Sequence, residues 1–488
     1  MKLKKLLRFV DNFDASEKVL SEEITDIVID PKKAKQGVLF VSLKKGKEGK
    51  QNIMLALENG ASAILSGENF DSDKVIVVDD ERKGYALCAK GLYSGVCDKL
   101  KLIAVTGTNG KTTTTKIISS ILQQAGKKVG TIGTLGVNCG DKVIDTGFTT
   151  PDPEILHKCF FDMAKKGVEY VVMEASAHAI ELKKLEGLSF EVGVFTNLSQ
   201  DHLDFFGDME NYFEAKKKLF VPEKTKLAII CGCDKWGKKL GEEILVPSLF
   251  YGEGITSDCF AENVVPSAKG TCFDCSLLGS QFGANSNFVG DYNIQNLLGG
   301  ILTARMLGVS TDCIERAIPK IEPAEGRFNA INFGDKKVIV DFAHTPDGLE
   351  KVLRTAKGME HERLVCVFGC GGNRDRGKRP IMGKIAEELC EEVVLTSDNP
   401  RFEKPLDIIE EITRGMTKGN HTIFPVREEA ISYAIRTASK GDLIVVAGKG
   451  GEKYQDIDGI KYPYDDFEVI RKAIESANKA EAGKKYGN

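Results

Sequence analysis

The sequence lacks the long apolar runs that a membrane-spanning helix needs. No stretch approaches the roughly 20 consecutive apolar residues that cross a bilayer. The first ten residues, MKLKKLLRFV, are basic but have no sustained apolar segment and no small-residue cleavage site, so they do not match a secretory signal peptide. We therefore expect a cytoplasmic protein with no membrane partner.

The chain also lacks a strong charge of either sign. Its formal net charge is −4, from 67 Lys and Arg residues against 71 Asp and Glu residues, and the two signs are mixed along the sequence. Because a nucleic-acid-binding surface carries an excess of positive charge, this balance argues against a nucleic-acid partner.

Cysteines are present but form no disulfide or zinc pattern. The chain has 13 cysteines, an odd number, and they are scattered. Neither the Cys231/Cys233 pair nor the Cys272/Cys275 pair has a second pair at zinc-site spacing. We therefore expect free, buried thiols in a reducing compartment.

The 488 residues exceed what one hydrophobic core organises, and we predict three α/β domains. The predicted boundaries are 1–98, 99–323 and 324–488. The first domain shows no catalytic spacing, so substrate recognition and simple packing both remain open for it. In the central domain, alternating strand-like and helix-like stretches predict a doubly wound, mostly parallel sheet, and the third domain repeats this alternation.

The central domain opens with a glycine-rich turn between a strand and a helix. Residues 102–115 read LIAVTGTNGKTTTT. Backbone N–H groups at a helix start, beside a lysine, form a phosphate-binding site. A strict phosphate loop has glycine where Val105 stands, so the pattern is partial and a plain turn is the alternative. In a nucleotide site, Lys111 would reach the terminal phosphates and the Thr112 hydroxyl would reach Mg²⁺.

Polar clusters follow the predicted strands of the central domain, at the sheet edge where ligands bind. MEASAH places Glu174 at a strand end, and TNLSQDHLD contains His202; together they predict a Mg²⁺ site, with a solvated loop as the alternative. The turn at 149–152 either holds a polar substrate or caps the next helix. Asn293 and Asn296 share one helical face and either bind a common partner, such as a nucleotide base, or are exposed.

In the third domain, four predicted strands each end in a polar cluster. Four clusters at one sheet edge indicate a functional site. The clusters are DFAHTPD from Asp341, GCGGNRDRGKR from Gly369, DNPR from Asp398 and GKGGE from Gly448.

Taken together, these motifs resemble the Mur ligase family. In chain order they are TGTNGKT, MEASAH, TNLSQDHLD, GDYNIQN, GRFN, DFAHTPD and DNPR, and they span nearly the whole chain. The resemblance implies an N-terminal UDP-substrate-binding domain, a central phosphate-loop ATPase and a C-terminal Rossmann-like domain that binds an amino acid. It implies an ATP-dependent ligase that uses Mg²⁺ in peptidoglycan synthesis, and hence in cell shape and division. We expect a monomer.

The implied reaction joins meso-diaminopimelate to UDP-N-acetylmuramoyl-L-alanyl-D-glutamate. ATP phosphorylates the free carboxyl of the D-glutamate, and the amine of the diamino acid then displaces phosphate. Lys111 and Mg²⁺ supply positive charge between the two anions. The DNPR motif resembles that of ligases that use meso-diaminopimelate rather than L-lysine. Arg401, helped by Arg374, would clamp the distal carboxylate that lysine lacks.

The resemblance also implies which residues form each part of the site. The catalytic residues are Lys111, Glu174, His202 and Lys216. The ATP-binding residues are Gly107, Thr108, Asn109, Gly110, Lys111, Thr112, Thr113, Asn293, Arg327 and Asp341. The muramoyl-peptide-binding residues are Thr149, Thr150, Ser176 and Lys184. The diaminopimelate-binding residues are Arg374, Asp398, Asn399, Pro400, Arg401, Gly448 and Glu452.

The implied metal ligands include one modified lysine. They are Thr112, Glu174, His202 and Lys216. Lys216 serves only as its carbamate, N6-carboxylysine, because a bare ammonium would repel Mg²⁺ whereas a carbamate offers hard oxygen ligands. A solvated lysine run on a helix is the alternative interpretation.

Departures from the family pattern fall at positions of substrate recognition. Asp30-Pro31-Lys32 stands where the family has Asp-Ser-Arg, Leu182 and Lys184 stand where Gln and Arg often occur, and Gly451 replaces a histidine. They leave open an L-lysine-adding or otherwise specialised paralogue. A folylpolyglutamate- or cyanophycin-synthetase-like ligase and a silent nucleotide-binding regulator are further alternatives.

Overall fold

The chain forms three large, separate sheets. The structure is a computed structural model, and it describes residues 1–140, 143–252, 254, 256–267 and 269–486. We call each sheet with its helices the first, central and third unit. The predicted α/β class is confirmed. The exact domain boundaries stay predictions. Among the described residues, no helix is long and apolar enough to cross a membrane. All 13 cysteines are free thiols and nine of them are buried, as predicted.

The first unit is a five-stranded, mostly parallel sheet. Its strands are β1 (Phe13–Asp14), β2 (Asp26–Val28), β3 (Val38–Ser42), β4 (Ala63–Ser66) and β5 (Val75–Val78). Its helices are α1 (Leu3–Leu6), α2 (Glu17–Leu20), α3 (Gly46–Glu58) and α4 (Glu81–Leu92). The strand order is β1-β5-β4-β3-β2, with β1 antiparallel to β5. Leu3 and Leu6 are fully buried in its core, so the basic N-terminal stretch is part of this fold.

The central unit is an 11-stranded sheet with a parallel middle. Its strands are β6 (Lys101–Thr106), β7 (Val129–Gly133), β8 (Gly136–Asn138), β9 (Val143–Ile144), β10 (Tyr170–Glu174), β11 (Phe190–Phe195), β12 (Ala228–Cys231), β13 (Ser248–Gly252), β14 (Cys259–Ser267), β15 (Gly270–Leu277) and β16 (Ser280–Ser286). Its helices are α5 (Lys111–Gln124), α6 (Pro153–Lys165), α7 (Ala177–Glu181), α8 (Leu203–Phe206), α9 (Met209–Lys217), α10 (Lys235–Glu243), α11 (Asp291–Met306) and α12 (Thr311–Ala317).

The strand order of the central sheet sets the position of its polar clusters. It runs β16-β15-β14-β13-β12-β11-β6-β10-β7-β8-β9, parallel from β14 to β7 and antiparallel at both ends. Apolar clusters cover both faces of its parallel part. Because β11, β6 and β10 are parallel neighbours, the segments that follow them meet at one edge.

The third unit is a six-stranded sheet with a separate hairpin. Its strands are β17 (Asn329–Phe333), β18 (Lys336–Asp341), β19 (Leu364–Phe368), β20 (Glu392–Thr396), β21 (His421–Phe424) and β22 (Leu443–Ala447), and the hairpin is β23 (Tyr454–Ile457) with β24 (Ile460–Pro463). Its helices are α13 (Pro346–Lys357), α14 (Lys378–Leu389), α15 (Pro405–Thr413), α16 (Arg427–Thr437) and α17 (Asp466–Tyr486). The order is β17-β18-β22-β19-β20-β21, with β17 antiparallel to β18.

A buried ion pair fastens the last helix to the third sheet. Arg427 Nε and Nη2 donate to the Asp466 carboxylate at 2.8 and 2.7 Å, and Nη2 also donates to the carbonyl of Ala447 at 3.0 Å. Neither side chain has exposed surface. Removing one partner would leave the other charge buried without compensation.

We predict that Asp466→Asn destabilises the third unit by about 3–5 kcal/mol, because Arg427 loses its counter-charge inside the protein. Chemical denaturation of the full chain measures this. The matched control is Glu350→Gln, which breaks the exposed Glu350–Arg354 pair on α13 and should cost less than about 1 kcal/mol. Equal destabilisation by the two variants would contradict the prediction.

Candidate active site

The phosphate loop joins β6 to α5, and two glycines allow its close contacts. Gly107 has φ +146°, and a Cβ there would lie 1.9 Å from the Thr196 hydroxyl. Gly110 has φ +84°, and a Cβ there would lie 2.3 Å from Asn296 Oδ1. Both positions therefore need glycine, because a side chain would collide with the end of β11 or with α11.

Side chains of the segment after β11 are hydrogen-bonded to the backbone of the phosphate loop. Thr196 Oγ1 and Asn197 Nδ2 donate to the carbonyl of Asn109 at 2.7 and 3.1 Å, and the Asn109 amide donates to Asn197 Oδ1 at 3.0 Å. Lys111 Nζ donates to the carbonyls of Gly107 and Thr108 at 3.0 and 2.8 Å. Burial lowers the pKa of Lys111, although the carboxylates around it oppose this.

Glu174 is the last residue of β10, and its carboxylate lies next to the phosphate loop. Its Oε1 accepts hydrogen bonds from Thr112 Oγ1 at 2.9 Å and from the Thr134 amide at 3.0 Å, and its Oε2 accepts one from Thr134 Oγ1 at 3.1 Å. Arg327 Nη2 donates to Thr112 Oγ1 at 3.1 Å. This carboxylate and these hydroxyls are oxygen donors of the kind that Mg²⁺ prefers.

Protein side chains alone do not complete a metal site here. In the part of the chain that the structure describes, no three His, Cys, Asp or Glu side chains are grouped to hold a metal ion. The donors present, Thr112 and Glu174, fit an ion whose remaining ligands come from phosphate oxygens and water.

Lys216 lies on α9 and is buried, with 1% of its surface exposed. Its Nζ donates to the carbonyl of Gly107 at 2.9 Å and lies 4.6 Å from the centre of the Tyr212 ring. Burial and the nearby positive charge of Lys111 hold the pKa of Lys216 well below its usual value, although Asp201 opposes this. The solvated-lysine interpretation is therefore wrong for this residue. A neutral amine is also the form that reacts with carbon dioxide.

His202 and Asp201 follow β11 at the same edge. His202 has φ +57°, and its Nε2 lies 3.3 Å from Asp201 Oδ2. Burial lowers the pKa of His202 to about 3, although Asp201 opposes this, so its imidazole is neutral. Its ring also contacts that of His178, with 4.6 Å between the ring centres.

Two basic side chains of the third unit contact Asp201. Lys378 Nζ donates to Asp201 Oδ1 at 3.1 Å, and His344 Nε2 lies 3.6 Å from Oδ2. Although burial opposes it, the charge of Lys378 holds the pKa of Asp201 well below its usual value. Neither Asp201 nor Lys378 was predicted as a site residue. The carboxylate inside TNLSQDHLD was a signal for Asp201, whereas nothing in the sequence links the two residues.

A cavity of about 330 Å³ between the central and third units collects most of the predicted catalytic and ATP-binding residues. The predicted residues that line it are 108–113, Thr149, Glu174, Ser176, His202, Asn293, Arg327, Asp341 and Arg374. Gly107 and Thr150 do not line it but are hydrogen-bonded to the lining residues Lys111 and Glu174, and Lys216 is hydrogen-bonded to Gly107. A larger cleft of about 1550 Å³ adjoins it, and Asn197, Tyr292, Asn296 and Lys351 line both spaces.

Asn293, Asn296 and Asp341 support this cavity through hydrogen bonds. Asn293 Nδ2 donates to the carbonyl of Val289 at 2.9 Å, and Asn296 Nδ2 donates to Asn293 Oδ1 at 3.2 Å. Both asparagines are buried, so simple exposure is wrong for them. Asp341 accepts from the amides of Phe328 and Ala343, and burial raises its pKa, although Arg327 opposes this.

Three of the four predicted muramoyl-peptide residues lie beside Glu174 or its hydrogen-bond partners. Thr150 Oγ1 donates to the Glu174 carbonyl at 2.8 Å and accepts from the Ser176 amide at 3.1 Å. Thr149 Oγ1 is 3.1 Å from Thr134 Oγ1. Lys184 Nζ lies 2.7 Å from Asp152 Oδ1.

The turn that ends at Asp152 does not cap α6 through its side chain. Asp152 occupies the N-cap position of α6 but makes no side-chain cap hydrogen bond. Its carboxylate pairs with Lys184 instead. The interpretation that the Asp152 side chain caps α6 is therefore wrong. Lys184 is one of the departures from the family pattern, and this ion pair gives it a partner inside the protein.

The predicted amino-acid residues meet at the ends of β20 and β22. Asn399 Nδ2 donates to Glu452 Oε2 at 2.8 Å, and Lys449 Nζ donates to Asn399 Oδ1 and Glu452 Oε2 at 2.9 and 2.8 Å. Arg401 Nη1 donates to the carbonyl of Gly372 at 2.8 Å. Lys449 was not predicted, although it lies in the GKGGE motif, and its side chain is fully buried.

Asp398, Pro400 and Gly448 shape the backbone of this cluster. Asp398 Oδ1 accepts from the Asn399 amide at 2.7 Å, and a Cβ on Gly448 would lie 2.6 Å from Asp398 Oδ2. A Cβ on Gly372 would lie 1.9 Å from the carbonyl of Pro400. None of these three residues lines the cavity that contains Lys111, whereas Arg374 does.

The connection between the central and third units passes along the site. Gly326 has φ +71°, and a Cβ there would lie 1.9 Å from the amide nitrogen of Gly451. A Cβ on Gly451 would in turn lie 2.9 Å from the carbonyl of Glu325. The glycine at 451, where the family has histidine, therefore allows this close contact.

Comparison with known proteins agrees with this geometry. Residues 105–304 match the model of the Mur ligase middle domain, and residues 326–450 match the Mur ligase, glutamate ligase domain. The UDP-N-acetylmuramoyl-L-alanyl-D-glutamate--2,6-diaminopimelate ligase of Clostridium tetani (strain Massachusetts / E88) is 41% identical over 97% of this chain and 99% of its own length. The chain belongs to the Mur ligase family.

Two further relatives of this Mur ligase are also UDP-N-acetylmuramoyl-L-alanyl-D-glutamate--2,6-diaminopimelate ligases. The protein of Aquifex aeolicus (strain VF5) is 39% identical over 93% of this chain and 94% of its own length. A solved structure of a UDP-N-acetylmuramoyl-L-alanyl-D-glutamate--2,6-diaminopimelate ligase matches with a TM-score of 0.70 and 31% identity, covering 98% of this chain and 99% of that chain. The three-unit architecture is therefore shared along nearly the full length.

We predict that Lys216→Ala lowers kcat at least about a hundredfold, because the site loses the negative charge that a carbamate would place beside the metal. A small carboxylate such as acetate should restore part of the activity. Lys218→Ala is the matched control, since Lys218 is half exposed and pairs with Glu181 on the surface.

A ¹³C signal from the carbamate should appear when the full chain is placed in labelled bicarbonate. It should persist in Lys218→Ala and be absent from Lys216→Ala. Undiminished activity of Lys216→Ala would show that no carbamate is needed at this position.

Proposed function

We propose that this Mur ligase adds meso-diaminopimelate to UDP-N-acetylmuramoyl-L-alanyl-D-glutamate, with ATP as the phosphoryl donor. The observation that carries the proposal is Arg374, which lines the same cavity as Lys111 and whose pKa is lowered by burial and by the neighbouring Arg401. Two arginines near a phosphate loop suit an acceptor that has a carboxylate of its own. The names of the full-length relatives support the same substrates.

In the first step, two anions have to meet. The loop amides and Lys111 hold the phosphates of ATP, and Arg327 adds positive charge beside Thr112. The D-glutamate carboxylate of the muramoyl-peptide approaches past Thr149 and Ser176 and attacks the terminal phosphoryl group, which gives an acyl phosphate and releases ADP. Mg²⁺, held by Thr112, Glu174, His202 and the Lys216 carbamate, would neutralise the charge that develops there.

In the second step, the amine of the diamino acid attacks the acyl phosphate, and the tetrahedral intermediate loses phosphate. Arg401 and Arg374 bind the distal carboxylate, and Glu452 faces the distal ammonium. Lys449 and Asn399 both donate to Glu452 Oε2, so this carboxylate is held in position before the substrate arrives. An acceptor without the distal carboxylate would lose its paired hydrogen bonds with the two arginines.

The remaining roles follow from the same proposal. Residues 1–98 bind the uridine nucleotide, 99–323 bind ATP, and 324–488 bind the amino acid. The base of ATP extends from the cavity into the larger cleft beside Asn296. The protein works as a cytoplasmic monomer on small-molecule substrates.

We expect phosphate release only when ATP, the UDP-muramoyl-dipeptide and an amino acid are all present. Meso-diaminopimelate should exceed L-lysine in kcat/KM by about 10³-fold or more, because lysine has no distal carboxylate for Arg374 and Arg401 to bind. A coupled phosphate assay with purified protein measures both values. Preference for L-lysine would make this a differently specialised ligase, and release without the muramoyl-dipeptide would reject the proposed substrate.

We predict that Arg401→Lys raises the KM for meso-diaminopimelate at least about tenfold, because lysine cannot form the paired hydrogen bonds of a guanidinium. The KM for ATP should stay within about twofold, since Arg401 does not line the ATP cavity. Arg414→Lys, at an exposed pair with Glu410, is the control. A parallel rise in both KM values would argue against a role in amino-acid binding.

A further inference from the structure

Asn109, in the middle of the phosphate loop, is bonded to both units that form the cavity. Its backbone is held by the segment after β11, as described above. Its side chain faces the third unit: Nδ2 donates to Asp347 Oδ2 at 2.9 Å, and Oδ1 accepts from Thr345 Oγ1 at 3.3 Å. Within the central unit, Nδ2 also donates to Ser199 Oγ at 3.2 Å.

Asp347 is held in place by its own helix. It lies in the first turn of α13, where the helix dipole favours a negative charge. Thr345 caps this helix by accepting from the Gly348 amide at 3.1 Å, and Lys351 Nζ donates to the Asp347 carboxylate at 2.9 Å. A Cβ on Gly348 would lie 3.5 Å from Asn109 Oδ1, so the helix start approaches the loop closely. The carboxylate that accepts from Asn109 is therefore held in position by its own helix and by Lys351.

We propose that Asp347 is a positioning residue that couples the conformation of the phosphate loop to closure of the third unit. The proposal rests on the proposed function, because it assigns a task within that reaction. Asn109 lies two residues before Lys111, next to Gly110, whose backbone adds freedom to the turn. With the third unit in place, the side-chain amide of Asn109 donates to the Asp347 carboxylate, so the loop is bonded to the start of α13.

This arrangement makes phosphoryl transfer depend on the unit that carries the amino-acid residues. When the third unit is displaced, Asn109 keeps Ser199 but loses Asp347 and Thr345, and the loop loses its link to α13. Phosphoryl transfer from ATP would then be efficient only when the third unit, which binds the amino acid, is in contact with the phosphate loop. By linkage, a nucleotide that binds the ordered loop favours closure to the same extent.

The test compares Asp347→Ala with Asp347→Asn and Glu350→Ala in the full chain. Asp347→Ala should lower kcat about ten- to a hundredfold, the effect of losing one hydrogen bond to a charged group. Asp347→Asn keeps an acceptor oxygen and should retain most of the activity. Glu350→Ala, which removes the exposed partner of Arg354 on the same helix, should match the wild type. Thermal unfolding checks that all variants are folded.

Two outcomes of this kinetic comparison would overturn the proposal. One is a kcat for Asp347→Ala equal to that of Glu350→Ala. The other is an equal loss in Asp347→Ala and Asp347→Asn, which would assign the effect to charge rather than to the bond with Asn109. A double-mutant cycle adds a third check: Asn109→Ala with Asp347→Ala should be no worse than the poorer single variant, and multiplied losses would reject a shared contact.

ADP affinity separates this proposal from the proposed function. Calorimetry on the full chain should show weaker ADP binding by about fivefold or more in Asp347→Ala than in Glu350→Ala, whatever the acceptor substrate proves to be. Equal affinities in these two variants would reject the coupling. A wild-type protein that binds ADP but ligates no amino acid would reject the proposed function alone.

Discussion

The carbonyl oxygen of Gly107 accepts hydrogen bonds from two lysines, Lys111 at 3.0 Å and Lys216 at 2.9 Å. Two full positive charges at one oxygen, away from water, would repel each other strongly. Burial, together with the nearby charge of Lys111, holds the pKa of Lys216 well below its usual value. The rest of the site is arranged around these two lysines. The carboxylates of Glu174 and Asp201 provide the opposite charge, and a neutral Lys216 has the form that carbamate formation requires.

The third unit completes this balance of charge. Lys378 compensates Asp201 directly, and Arg327 reaches the hydroxyl of Thr112 beside Glu174. The central unit therefore carries the phosphate loop and its carboxylates, while several of the cations around them come from another sheet. A site divided in this way is fully formed only when the two units are in contact, which agrees with a reaction that brings two anions together.

Much of the fold followed from the sequence because the parallel strands are continuous apolar runs that are buried on both faces. The antiparallel pairs β14–β15 and β15–β16 were not predicted, since β14 and β16 are mostly exposed rather than apolar runs, and β15 contains Cys272 and Cys275 at the spacing of a cysteine motif. Within the site, the motifs identified most of the residues but not which of them pair across the chain. Lys378 and Asp201 were missed as a pair because 177 positions separate them and each is an ordinary charged residue until the fold pairs them.

The connection between the central and third units has a consequence for how the chain can vary. Linkers between domains commonly tolerate insertions, because their ends need only stay within reach. Here Gly326 touches Gly451, and the next residue, Arg327, donates to Thr112. Adding or deleting one residue would shift the guanidinium off its partner and bring a side chain against the Gly451 backbone. The length of this connection is therefore fixed by chemistry, and it should be among the segments of the chain that tolerate insertions least.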